Sequence, residues 1–129
     1  MDLKKLERSH IYSLWQFHSG QMWSRIQTAT AIEVGVITGW YITRCQMIEI
    51  SYVVLFGGSF LLIITGLLMR RDAQYMVACE KLLKSAFPKP DKPFLGLSGR
   101  ILAVLILFLL ALSNILLAVY QSKTNIGCV

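Results

Sequence analysis

From Ile101 to Tyr120 the chain runs twenty residues without a charge, and only Ser113 and Asn114 interrupt the apolar run. A helix of that length covers about 30 Å, the hydrocarbon thickness of a bilayer. Two further blocks have the same character. Met47 to Met69 offers 23 residues, enough to span with some tilt. Between Arg25 and Arg44 lie 18 residues, about 27 Å of helix. Trp23 and Arg25 stand at one end of this first block and Trp40 and Tyr41 at the other, as interfacial anchors would. Arg70 and Arg71 close the second block in the same way. The expected fold class is therefore all-α: an integral membrane protein with three transmembrane helices and amphipathic helical cytoplasmic extensions.

The expected order is an amphipathic cytoplasmic or interfacial helix over 1–26, a first span over 27–44, a second over 47–69 and a cytoplasmic helical extension over 70–87. A Pro/Gly linker over 88–99, a third span over 100–121 and a short outer tail over 122–129 complete it. The first segment carries Leu3, Leu6, His10, Leu14, Phe17 and Gln21 at three-four spacing, with Ile11, Trp15, His18 and Met22 on an adjoining stripe. No proline precedes Pro88, so this helix is expected to extend into the first span, with Gly20 as a hinge. In 70–87, Tyr75, Cys79, Leu82 and Ala86 are expected to form the apolar face. Gly57-Gly58-Ser59 interrupts the second block.

Composition agrees with a bilayer: 55% of residues are hydrophobic, only 16% are charged, and the mean hydropathy is +0.57. The net charge of +6 then reads as an orientation signal and an attraction to anionic headgroups rather than to nucleic acid. Lys4, Lys5, Arg8, Arg25, Arg70, Arg71, Lys81, Lys84, Lys89, Lys92 and Arg100 fall on one side, against Arg44 and Lys123 on the other. The N-terminus is expected to be cytoplasmic and the C-terminus outside, in a plasma (bacterial inner) membrane. No cleavable signal peptide is expected.

One carboxylate, Glu33, sits in the middle of the first span. An acid at that depth faces protein or water and often marks an ion or proton path. Ala31, Gly35 and Gly39 form a ridge of small residues on the opposite side, where a neighbouring helix can approach closely. Measured from the span ends, Glu33 and Ser59 both lie about 12 Å from the cytoplasmic side, so Gly57, Gly58 and Ser59 are expected to open room beside the acid. Asn114 comes out about 9 Å nearer the outer face, which predicts an interhelical hydrogen bond for it but no direct partnership with Glu33 within one subunit.

Other chemistry lacks support. His10 and His18 are eight residues apart, not the spacing of a metal pair, and no metal or cofactor is expected. Cys45, Cys79 and Cys128 form no CxxC, though Cys45 and Cys128 both fall on the outer side, where an oxidising compartment would allow a disulfide between them. Phosphate-loop, hydrolase and metalloprotease motifs are absent from the sequence, and an enzyme is not expected.

The expected function is a small homo-oligomeric channel or pore, with Glu33 or the amphipathic N-terminal helix lining a central path and Ser59 beside the acid in the site. The alternatives are a non-conducting scaffold, whose cytoplasmic helices recruit a protein partner, and a small acid-coupled exporter. The acid in the first span is similar to that of the small multidrug exporters, which have four spans and little outside the membrane. The layout of cytoplasmic helices joined to a few spans also resembles the small membrane effectors of bacterial defence systems.

Overall fold

The computed structural model describes residues 3–83 and 98–124. Three helices account for nearly all of them: α1, Leu3–Thr43; α2, Ile48–Leu82; and α3, Gly99–Thr124. At 1.5 Å per residue they are about 60, 50 and 40 Å long. There is no strand among the described residues.

Each helix runs without a break where the sequence raised one. α1 passes through Gly20, and α2 passes through Gly57-Gly58-Ser59. A glycine weakens a helix by only about 0.5–1 kcal/mol, which packing along the whole length outweighs. α1 ends in a tight reversal, with Arg44 N–H donating to the Trp40 carbonyl and Met47 N–H to the Thr43 carbonyl, both at 2.9 Å. Ser98 caps α3: its carbonyl accepts from Leu102 N–H at 3.0 Å and its hydroxyl oxygen from Ile101 N–H at 3.4 Å.

α2 is the central element, packed along both α1 and α3, while the backbones of α1 and α3 scarcely meet. Its inward side is a three-four seam: Ser51, Leu55, Gly58 and Ser59, Leu62, Thr65 and Gly66, Met69, Asp72 and Met76. α3 answers with Val104, Leu107, Ala111, Asn114, Ala118 and Gln121, and α1 with Met22, Ala29 and Val36. Such spacing keeps one stripe of each helix facing its partner over many turns.

The amphipathic extensions turn differently from expectation. In α1 the inward stripe is Ile11, Trp15, His18 and Met22, while Leu14 and Phe17 are exposed. In α2, Tyr75 and Leu82 are exposed, and Met76 and Leu83 are buried instead. The seam continues in register from the apolar blocks, so it fixes the phase of the extensions.

Two helices, α2 and α3, are long and apolar enough to cross a membrane, not the three expected. α1 falls short because Gln27, Thr28, Thr30, Glu33 and Thr38 are interspersed among its apolar residues, of which Val34, Ile37, Tyr41 and Ile42 are exposed. The outward sides of α2 and α3 are lined instead by Val53, Phe56, Phe60, Leu61, Ile64 and Leu67, and by Leu105, Ile106, Leu109, Leu112 and Leu116. An apolar surface of this extent is what contact with lipid or protein requires, and a soluble monomer rarely carries one.

Candidate functional site

The polar side chains at the level of the apolar blocks gather in layers between the helices. In the first layer, Asn114 Nδ2 donates to Glu33 Oε2 at 2.9 Å. Asn114 is 1% exposed, and Glu33 is half-buried at the edge of the bundle. Two turns further, Trp40 Nε1 donates to Gln121 Oε1 at 2.9 Å and Gln121 Nε2 donates to Ser51 Oγ at 3.0 Å, tying all three helices together. Both α1–α3 bridges join residues 81 apart, so one register serves both.

The Glu33–Asn114 bond corrects the depth argument, and the register explains the error. With an offset of 81, Arg25 is level with Ile106, six residues deeper than Arg100. That is about 9 Å, the discrepancy in depth. Arg25 is therefore not level with the end of the apolar block of α3. Its guanidinium lies 2.9 Å from Asp72 Oδ2, while His18 Nδ1 lies 3.1 Å from Asp72 Oδ1. Asp72 is 1% exposed, and His18 also stacks on Tyr75 with ring centroids 4.9 Å apart. A paired arginine can sit deeper than a free one, because the carboxylate offsets part of its desolvation.

A second charged layer closes the same end. Trp15 Nε1 donates to Glu80 Oε1 at 3.0 Å, and Arg100 pairs with the same oxygen. Asp72 and Glu80 thus each join α2 to a neighbouring helix. Sequence reasoning missed both, treating 70–87 as a surface segment; their places at the seam spacing of Leu62, Met69 and Met76 are the signal that finds them.

Ser59 is buried beside this arrangement but does not serve Glu33. Its hydroxyl is shared between the Leu55 carbonyl at 2.8 Å and the Ala111 carbonyl at 3.1 Å. Nor do the glycines open space around the acid. Gly57 faces outward, and Gly58 is pressed against Val36 so closely that a Cβ there would lie 2.1 Å from Val36 Cγ2. The Ala31–Gly35–Gly39 ridge divides: Ala31 and Gly35 are exposed, whereas Gly39 turns toward Val54 of α2, 3.2 Å from where its Cβ would be.

Of the other anchors, Trp23 and Tyr41 are exposed, as are Arg70 and Arg71. Trp40 is turned inward to Gln121, and the Arg44 guanidinium lies over the Trp40 and Tyr41 rings, 5.3 and 4.5 Å from their centroids. Cys79 is a free thiol and Cys45 is not; Cys128 lies outside the described residues. Lys84, Ser85, Ala86 and the 88–97 part of the linker lie outside them too. Among the described residues no three His, Cys, Asp or Glu side chains gather as a metal would require.

No protein-family model matches the chain, and neither a curated protein nor a solved structure is similar to it.

Proposed function

We propose that the chain is a multi-pass membrane protein whose copies assemble with the outward side of α1 toward the centre, forming a channel or pore. One observation carries this reading. α2 and α3 turn mainly large aliphatic and aromatic side chains outward, whereas α1, packed at the same level, mixes Gln27, Thr28, Thr30, Ala31, Gly35 and Thr38 with the exposed Val34, Ile37, Tyr41 and Ile42. Lipid suits such a mixed side less well than it suits the sides of α2 and α3. A second copy or a water-filled path accommodates it, because small residues allow close approach and hydroxyls tolerate water. Thr28 and Thr30 already donate to the Ser24 and Ile26 carbonyls, so this side stays tolerable in a single copy before assembly. Glu33 borders the side while tied to Asn114, which fits a charge held near a path rather than one projecting into it.

The same side of α1 is open to a scaffold reading, in which it receives a helix of another membrane protein. Partners on this reading are membrane lipids, further copies of the chain and a protein at the exposed Leu14 and Phe17 of the α1 extension. The charge distribution supports a bacterial inner membrane with the N-terminus inside and the C-terminus outside.

Imaging of the full chain in nanodiscs, with conductance across planar bilayers, tests the proposal. A closed ring with α1 around an axial path, and conductance altered by Glu33→Gln, is the expected result. A single copy, or an assembly whose axis is lined by α3, refutes the pore and leaves the scaffold.

A further inference from the structure

A groove of about 700 Å³ opens between the C-terminal half of α2 and the first turns of α3. Its wall is apolar, formed chiefly by Val77, Ile101, Val104, Leu105 and Phe108. Its polar contributors include Arg70, Lys81 and Arg100, and no acidic side chain among the described residues lines it. Arg70 and Lys81 are exposed and make no ion pair among the described residues, whereas Arg100 gives one nitrogen to Glu80 and keeps Nη1 buried without a hydrogen-bond partner.

We propose that this groove binds an anionic phospholipid of the surrounding membrane. The inference rests on the membrane reading above, but not on the pore. The chemistry divides along the groove. Ile101, Val104, Leu105 and Phe108 follow α3 toward the membrane interior and offer an acyl chain a continuous apolar track. Arg70 and Arg100 stand at the level where the apolar blocks end, which is headgroup depth, and Lys81 lies further out. A zwitterionic lipid satisfies the track but not the charge; a free phosphate satisfies the charge but leaves the track empty. An anionic phospholipid answers both, and Arg100, whose Nη1 has no hydrogen-bond partner, lines the same end.

The test is native mass spectrometry of the full chain released from micelles holding equal amounts of phosphatidylglycerol and phosphatidylcholine. The expected result is retention of phosphatidylglycerol at about tenfold preference. That preference falls toward unity in the double variant Arg70→Gln, Lys81→Gln, whose side chains hold no described helix contact. Ala78→Leu, which narrows the groove and leaves the charges in place, lowers retention of both lipids. Equal retention by the wild-type chain, or an unchanged preference in the double variant, overturns the proposal. So does cross-linking from Val77→Cys to residues 84–97 instead of to lipid, which assigns the groove to the chain's own linker. If alkaline carbonate strips the wild-type chain from membranes, the membrane reading fails with it; an embedded chain without lipid preference sinks the groove alone.

Discussion

Replacing Gly58 by alanine puts a methyl group where α1 already stands. The new Cβ would lie 2.1 Å from Val36 Cγ2 and 3.2 Å from both Val36 Cβ and Cγ1. Carbon atoms in contact sit about 3.5–4.0 Å apart, so the closest pair is short by about 1.5 Å. Turning Val36 about χ1 gives little relief, since its other methyl is also crowded and valine in a helix is held to one rotamer. α1 and α2 must therefore separate, at an overpacking cost of about 1–3 kcal/mol. Alanine's better helix propensity returns about 0.5–1 kcal/mol, leaving a net loss of up to about 2.5 kcal/mol, and about 1–3 kcal/mol relative to Gly57→Ala. Gly57→Ala is the matched control: a Cβ there meets nothing within 4 Å, so only the propensity gain remains. Val36→Ala opens the space and should make Gly58→Ala neutral or favourable in its presence, a coupling of about 1–3 kcal/mol. Reversible unfolding in mixed micelles titrated with SDS, followed by circular dichroism, reads all four proteins. A Gly58→Ala chain as stable as Gly57→Ala, or one that Val36→Ala does not rescue, refutes the packing argument.

Asp72→Ala strands Arg25 and His18 beside a seam that has lost its carboxylate, and should cost about 3–5 kcal/mol in the same unfolding assay. Asn114→Leu removes the donor to Glu33 and should cost about 1–3 kcal/mol, whereas Asn114→Leu with Glu33→Leu should recover most of that loss. Gln121→Leu frees Trp40 Nε1 and Ser51 together, so tryptophan fluorescence should change even where the midpoint moves little. A Cβ on Gly35 meets nothing within 4 Å in one copy, so Gly35→Leu should unfold no more easily than wild type and gain about 0.5–1 kcal/mol from helix propensity, while its particles in nanodiscs become smaller; unchanged particles would remove this side of α1 from the assembly.

Helix content was readable because it depends on local properties: long apolar runs, three-four spacing, and no proline before Pro88. The short connection between the 27–44 and 47–69 segments was readable from where those apolar blocks end and begin. Which stripe of each extension turned inward was not. Leu14 and Phe17 look as suitable as Trp15 and Met22 on a helix taken alone, and the choice was made by the register of a seam that runs on from the apolar blocks of the other helices.

The candidate site shows the same division. The sequence by itself determined that Glu33 needs a polar partner, because an isolated carboxylate among apolar residues is too costly to leave unanswered. It also determined that Asn114 would bond across an interface. That the two find each other was decided only by tertiary structure. Charges taken one at a time put Arg25 level with Arg100; in the fold Arg25 pairs with Asp72 of another helix about 9 Å along the bundle from Arg100, and Glu33 is level with Asn114. The depth of a charged residue depends on whether its partner is water or a buried carboxylate, and that partner lies 47 residues further along the chain.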